Sequence, residues 1–129
     1  MIGYVTIGSN DLPRARSFYD ALLAVIGASR LMELPNGFTL YAKSVGKPGL
    51  ALVHPFDGQQ ARPGNGTMPA LAVRERAQVD ALYAKALELG GSDEGRPGLR
   101  GEEGPEAFYG AYFRDLDGNK LCVFRMGPD

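Results

Sequence analysis

Phe18-Tyr19-Asp20-Ala21-Leu22-Leu23, followed by Gly27, has a counterpart later in the chain, Leu82-Tyr83-Ala84-Lys85-Ala86-Leu87, followed by Gly91. The two segments and their glycines are separated by the same 64 positions. In each copy the apolar residues have helical spacing, a strand-like run precedes them, and a glycine supplies the stop. The repeat therefore predicts a doubled β-α-β module whose two curved half-sheets surround a shared cleft.

The first copy has clear signals for each of its elements. Residues 2–8 predict a strand, and Asn10 or Asp11 can cap the helix that follows it. Residues 31–34 and 38–42 predict a hairpin around the Pro35-Asn36-Gly37 turn, and residues 50–54 predict a fourth strand. The polar, Gly/Pro-rich residues 59–66 are the predicted link to the second copy.

The second copy is less regular. Pro69 interrupts the predicted strand at residues 67–73, which indicates an edge position or a bulge because proline cannot donate to a ladder. Residues 92–105 are crowded with glycine and charge and predict a long loop. Two further strands are predicted at residues 107–114 and 120–125, joined by a structural turn at residues 115–119.

Length and composition indicate one globular domain of 129 residues. A net charge of −1 without basic patches argues against nucleic acid or an anionic membrane as the main partner. The single cysteine excludes an internal disulfide. Because the chain also starts without a signal-peptide pattern and has no apolar run of about 20 residues, we expect a cytoplasmic protein.

Several short motifs occur in order along nearly the whole chain: Val5-Thr6-Ile7, Asp11-Leu12, Ala15-Arg16-Ser17-Phe18-Tyr19, Pro63-Gly64-Asn65-Gly66-Thr67 and Arg114-Asp115-Leu116-Asp117-Gly118-Asn119. Together they resemble the glyoxalase/bleomycin-resistance/dioxygenase family, the vicinal oxygen chelate superfamily. The resemblance implies an α+β fold of two tandem βαβββ modules that form an open, curled mixed sheet around a central cleft, or cup. The modules would span about residues 1–58 and 67–129 of a single domain. It also implies a homodimer, in which the partner chain can complete the cup.

Metal-dependent members of this family hold a divalent ion in the cup with four ligands, usually His and Glu. One ligand lies near the start of each module's first strand and one on each module's last strand. By resemblance, these positions correspond to Tyr4, Leu52, Met68 and Cys122. Such a set cannot replace two imidazoles and two carboxylates. We therefore expect no metal and no other cofactor.

The candidate site residues have alternative interpretations. His54 is the only histidine, so a multi-histidine site is excluded; it is either incidental or a general base. Cys122 is either an inert pocket wall or a nucleophile, and the hydroxyl of Tyr4 either contacts a ligand or lies in the core. By alternation, Tyr109 and Tyr112 lie on opposite faces of their strand, but the pattern leaves open which face lines the cup.

The cluster of Glu102, Glu103 and Glu106 with Arg100 is either a solvated loop or a charged lid at the mouth of the cup.

Three functions are compatible with these residues. The first is metal-free binding of a small organic molecule, such as sequestration of a toxic compound, by Tyr4, Leu52, Met68 and Cys122 within aromatic walls. The second is a divergent lyase, isomerase or dioxygenase. It would use relocated metal ligands from His54, Cys122 or the acidic loop, or metal-free acid–base catalysis by Tyr4 and a loop glutamate. The third is an assembly module that pairs through its strand edges.

Overall fold

The computed structural model describes all 129 residues, which form two modules with the same order of elements. The first module contains β1 (Tyr4–Gly8), α1 (Leu12–Ala24), β2 (Ser29–Glu33), β3 (Thr39–Ala42) and β4 (Gly49–Val53). The second contains β5 (Ala70–Ala72), α2 (Arg76–Glu88), β6 (Ser92–Leu99), β7 (Phe108–Arg114) and β8 (Lys120–Met126).

Each module forms its own four-stranded sheet, in the orders β1-β4-β3-β2 and β5-β8-β7-β6. The first strand of each module pairs in parallel with the last, and the other neighbours are antiparallel. Parallel pairing needs a crossover connection, which begins with the helix in both modules. The predicted α+β fold of two tandem βαβββ modules with an open mixed sheet is confirmed, and the sheet consists of two separate halves.

The helix ends follow from local chemistry. A carboxylate oxygen of Asp11 accepts a hydrogen bond from the backbone N–H of Arg14 at 3.1 Å and caps α1. Gly27, with a φ of +78°, takes the left-handed conformation just beyond the helix. At α2, Glu75 and Gln78 form a reciprocal capping box. Neither helix has the length and apolar character needed to cross a membrane.

One hydrophobic core joins the two modules. It contains 21 buried residues from both helices and from one face of each sheet, including Leu22, Leu52, Leu82, Phe113 and Val123. Because side chains alternate along a strand, the residues between these point to the opposite face. We call that opposite face, which carries no helix, the open face of each sheet.

The turn between β7 and β8 adds polar contacts between the modules. The hydroxyl of Tyr19 on α1 donates to Asp115 at 2.7 Å, and the side-chain amide of Asn119 donates to the carbonyl of Gly8 at 2.9 Å. The backbone N–H of Asn10 donates to Asp117 at 2.9 Å. These bonds give the Arg-Asp-Leu-Asp-Gly-Asn segment the structural role that its turn residues predict.

The prediction of a loop over residues 92–105 is wrong for its first part. Residues 92–99 form β6, which pairs antiparallel with β7 at the edge of the second sheet. Glycine and proline are poor strand formers, and here they coincide with two register irregularities, between Asp93 and Gly95 and between Gly95 and Gly98. Pairing with the aromatic strand β7 outweighs the weak local preference.

Candidate functional site

A cleft of about 1110 Å³ lies against the open face of the first sheet. Its floor includes Thr6 and Gly8 on β1, Phe38 before β3, and Val53 on β4. Its wall is formed by residues from the segment 54–62, which leaves β4 and starts the connection between the modules. The predicted cup is shared by both modules, whereas this cleft is lined by residues 6–62 alone. Its wall comes from residues for which the sequence predicted only a linker.

The linker is fixed close to the sheet by Asn10. Its side-chain carbonyl accepts from the N–H of Ala61 at 2.7 Å, and its amide donates to the carbonyl of the same residue at 3.0 Å. A Cβ atom on Gly8 would lie 3.0 Å from the Cβ of Ala61, so the absence of a side chain on Gly8 allows this approach. Residues 59–62 have no motif that could have identified them as a cleft wall.

His54 lies in this cleft and is exposed. The alternation predicted for residues 50–54 would place it on the face of Leu52, but β4 ends at Val53 and the alternation ends with it. His54, one of the predicted site residues, is therefore accessible to a ligand and lies just beyond the end of β4.

The prediction that Leu52 lines the cup is wrong by one residue. Leu52 is 1% exposed, pairs with Ile7 and packs in the shared core. Shifting a strand assignment by one residue moves every side chain to the other face. In the second module, Ala70 pairs with Cys122. Thr6 lies 64 positions before Ala70 and pairs with Ala51. Ala51 is therefore the counterpart of Cys122 in the first module.

Tyr4 and Met68 occupy equivalent positions at the starts of the two modules. Their exposed fractions are 54% and 37%, so neither is a core residue. The ring of Tyr4 packs edge-on against Phe38, with 5.5 Å between the ring centroids, and its hydroxyl makes no hydrogen bond within the protein. Tyr4 is therefore free to contact a ligand at the edge of the first open face.

Cys122 lies on the open face of the second sheet, directly opposite Tyr112 on β7. The residue is 1% exposed, and burial raises the pKa of its thiol. The charges of Arg100 and Lys120 and hydrogen bonding with Tyr112 oppose this effect without cancelling it. A thiol that stays protonated is a poor nucleophile and a poor metal ligand, which favours the pocket-wall interpretation.

Tyr109 and Tyr112 lie on opposite faces of β7, as alternation predicts. The structure shows which of them faces the core and which lies on the open face. Tyr109 packs against the shared core, and its hydroxyl donates to Asp80 at 2.7 Å. The guanidinium of Arg76 lies 5.2 Å from its ring centroid. The candidate ligand role of Tyr109 is thus corrected, because its face is covered by α2, whereas Tyr112 lies on the open face.

The acidic loop does not act as one group. Glu103 forms a bidentate ion pair with Arg76, and one of its two hydrogen bonds is 2.7 Å long. Arg100 instead donates to the backbone carbonyls of Arg96 and Gly98. The predicted cluster of Arg100 with Glu102, Glu103 and Glu106 therefore contains no internal ion pair.

The donor chemistry at the family's metal positions does not fit a divalent ion held by His and Glu. With the corrected register, the positions that correspond by resemblance hold Tyr4, Ala51, Met68 and Cys122, of which alanine has no donor atom and methionine offers only a thioether. No group of three or more His, Cys, Asp or Glu side chains lies together elsewhere in the chain.

The superfamily model for glyoxalase/bleomycin resistance protein/dioxygenase matches residues 1–123, and the chain belongs to this superfamily. It is 33% identical to a glyoxalase/bleomycin resistance protein from Albidiferax ferrireducens T118, with a TM-score of 0.84 over 97% of this chain and 98% of that one. It is 26% identical to hypothetical protein SA1046 from S. aureus, with a TM-score of 0.70 over 97% and 92% of the two chains.

A lactoylglutathione lyase from Agrobacterium tumefaciens is more distant. It is 20% identical, with a TM-score of 0.62 over 97% of this chain and 92% of that one, and at this identity the likeness concerns the fold alone. No protein of curated function matches the sequence.

Proposed function

We propose that the protein binds a small organic molecule on the open faces of its sheets, without a metal, in a sequestration or resistance-type role. One observation carries the proposal. An open cleft of about 1110 Å³ lies on the open face of the first sheet, while the positions that correspond by resemblance to the family's metal ligands hold no carboxylate or imidazole. A cleft without those metal ligands is consistent with binding of an organic molecule rather than with Lewis-acid catalysis by a metal ion.

The lining of the cleft suits an organic ligand with both apolar and polar parts. Phe38 and the neighbouring Tyr4 ring provide aromatic surface, and the hydroxyl of Tyr4 can donate to a carbonyl or a phenol. Gln59 and Gln60 add amide donors and acceptors on the opposite wall. These groups can orient a ligand.

A divergent lyase, isomerase or dioxygenase is the alternative. Its relocated ligands would have to come from His54, Cys122 or the acidic loop. His54 follows the last strand of the first sheet and Cys122 lies in the second sheet, and Glu103 is held by Arg76 outside the cleft. The geometry thus favours the binding role over the enzymatic one.

The test is a metal analysis of the untagged protein combined with a ligand screen by thermal shift. We expect no stoichiometric metal, no effect of chelation on the melting temperature, and stabilisation by organic ligands. Val53→Trp, which places an indole on the cleft floor, should abolish that stabilisation. Val45→Trp is the matched control, because Val45 is 90% exposed on a turn outside the cleft. Stoichiometric metal whose removal destabilises the protein would refute this proposal and favour the enzyme.

We further propose that the protein is a cytoplasmic homodimer whose partner chain completes the cup. The open faces and their rims leave apolar side chains in water, including Tyr4, Phe56 and Met126. Contiguous exposed apolar surface is typical of an interface. Light scattering after gel filtration should give twice the chain mass, and Phe56→Asp should weaken association. Val45→Asp, an equally exposed change elsewhere, should not. A monomer at micromolar concentration would contradict the dimer.

A further inference from the structure

The open face of the second sheet carries two cationic side chains around one aromatic ring. Arg100 follows β6, and its guanidinium carbon lies 5.3 Å from the ring centroid of Tyr112. Lys120 begins β8, and its amine lies 5.6 Å from the same centroid. Two cations from different sequence segments therefore meet at one residue of the sheet.

Neither cation has an acidic partner. Arg100 and Lys120 form no ion pair. The guanidinium of Arg100 is oriented by two backbone carbonyls, those of Gly98 at 3.0 Å and Arg96 at 2.7 Å, and this leaves further N–H donors free. Its position is thus fixed without neutralisation of its charge.

The carboxylates near Arg100 and Lys120 either pair with other cations or lie beyond ion-pair distance. Glu94 on β6 accepts from Arg114 at 2.6 Å, so that its charge is already compensated. Glu102, Glu103 and Glu106 line the same shallow hollow as Arg100, but none of them forms an ion pair with it, and Glu103 pairs with Arg76. Lys120 also acts on Glu94, whose pKa it helps to lower. Arg100 and Lys120 nevertheless keep N–H donors that no carboxylate occupies.

The two charges act on the same point of the surface. Both Arg100 and Lys120 lower the pKa of the Cys122 thiol, against the larger effect of burial, which raises it. Cys122 lies directly opposite Tyr112 in the sheet. Arg100, Lys120, Tyr112 and Cys122 therefore lie together on the open face.

An apolar surface adjoins this charged region. The rings of Phe108 and Phe124 are stacked, with 5.1 Å between centroids and an interplanar angle of 9°. The ring of Phe108 covers Gly110, since a Cβ there would lie 2.5 Å from its Cε1 atom. Along β7, the open face therefore changes from aromatic at Phe108 to cationic around Tyr112.

We propose that this surface binds the acid group of an aromatic organic anion, a carboxylate or a phosphate, through Arg100 and Lys120, while Phe108 and Phe124 contact its apolar part. The inference goes beyond the proposed function, because this surface belongs to the second sheet and shares no residue with the cleft of the first. Charge-assisted hydrogen bonds to an oriented guanidinium suit both acid groups, and the aromatic pair suits a flat ligand body.

The experiment is an NMR titration of the full-length protein with benzoate, phenyl phosphate and the uncharged benzamide. Benzoate and phenyl phosphate should shift the amide signals around Tyr112 and Cys122, and comparing their affinities distinguishes carboxylate from phosphate recognition. Benzamide should bind at least about tenfold more weakly, because the charge-assisted bonds are lost. Raising the salt concentration should weaken the two anions selectively.

Two variants test the cations, each with a matched control. Arg100→Gln and Lys120→Gln should each weaken benzoate binding about tenfold. Arg74→Gln and Lys47→Gln, which remove exposed cations elsewhere, should leave it unchanged. The amide spectrum of each variant verifies its fold.

Other outcomes would overturn the inference. Equal affinity for benzamide and benzoate, or wild-type affinity in both Arg100→Gln and Lys120→Gln, would refute the anion site. So would the failure of all three probes to bind. The proposed function would still stand if ligands from the thermal-shift screen stabilise the wild-type protein but not Val53→Trp. Failure of the anion site can therefore be distinguished from failure of the proposed function.

Discussion

Asp115 and Tyr19 connect the second module to the first through a single buried hydrogen bond of 2.7 Å. Asp115 also accepts from the side chain of Asn119 and from the backbone N–H groups of Asp117 and Asn119. A buried carboxylate with four donors is stable, whereas removal of one donor leaves part of its charge uncompensated.

Replacing Tyr19 with phenylalanine tests this contact. The loss of a hydrogen bond to a buried charge should lower the free energy of unfolding by about 1.5–3 kcal/mol, measured by urea denaturation. Tyr4→Phe is the matched control, since the hydroxyl of Tyr4 has no protein partner; its effect should stay within about 0.5 kcal/mol. Equal stabilities of the two variants would show that the Tyr19–Asp115 bond is not important.

Buried tyrosines also predict how stability depends on pH. Burial and the neighbouring Asp115 raise the pKa of Tyr19, and burial together with hydrogen bonding to Asp20 raises the pKa of Tyr41. In the unfolded chain a tyrosine titrates at about 10. Above that pH the unfolded state loses protons that the folded state keeps, so the free energy of unfolding should fall as pH rises. Denaturation at pH 9 and pH 11 should show a decrease that is smaller in Tyr19→Phe; no decrease would contradict the burial argument.

At the scale of the element, β4 shows how a short apolar run can be placed in the wrong register. Residues 50–53 are all compatible with a strand, and the run has no polar residue to mark the solvent side. Only pairing with β1 and β3 determines that Leu50 and Leu52 face the core, that Ala51 and Val53 lie on the opposite face, and that Val53 lines the cleft.

Leu52→Ala tests the corrected register. Truncation of a fully buried leucine should lower the free energy of unfolding by about 2–5 kcal/mol. Leu34→Ala removes the same atoms from a side chain that is 45% exposed, and should cost less than about 1 kcal/mol. If Leu52 lined the open cup, as its sequence position first indicated, both substitutions would have similarly small effects in the chemical denaturation experiment.

β6 is the element that local sequence describes least well. Its residues, Ser-Asp-Glu-Gly-Arg-Pro-Gly-Leu, include two glycines and a proline. A strand at the edge of a sheet needs only one partner, and its irregularities place Arg100, just beyond its end, next to Tyr112. The irregular edge strand therefore contributes to the proposed anion site.

At the scale of the whole molecule, the shared core determines how the protein unfolds. Residues of both modules contribute to one cluster of 21 buried residues, so neither module can keep its core without the other. We expect a single calorimetric transition with equal calorimetric and van't Hoff enthalpies, and we expect residues 1–66 alone not to fold. Two separate transitions, or a folded fragment with native-like chemical shifts, would show that the modules are independent.

The sequence by itself determined the repeat, the two helices with their stops, the superfamily and the chemistry of most cup positions. These depend on local periodicity, capping and turn residues, and on residue types, all of which can be read along the chain. That Tyr4, Met68 and Cys122 are not the His and Glu residues usual at the family's metal positions is likewise a property of the residue types.

The tertiary structure alone decided which faces are open and what lies on them. Leu52 and Tyr109 lie on the core side of their sheets, and residues from the segment 54–62 form a cleft wall. Arg100 and Lys120 both lie against the ring of Tyr112. The physical reason is that these outcomes depend on strand register and on contacts between segments distant in sequence. A one-residue shift in register leaves the local pattern almost unchanged, yet it reverses which side chains the ligand meets.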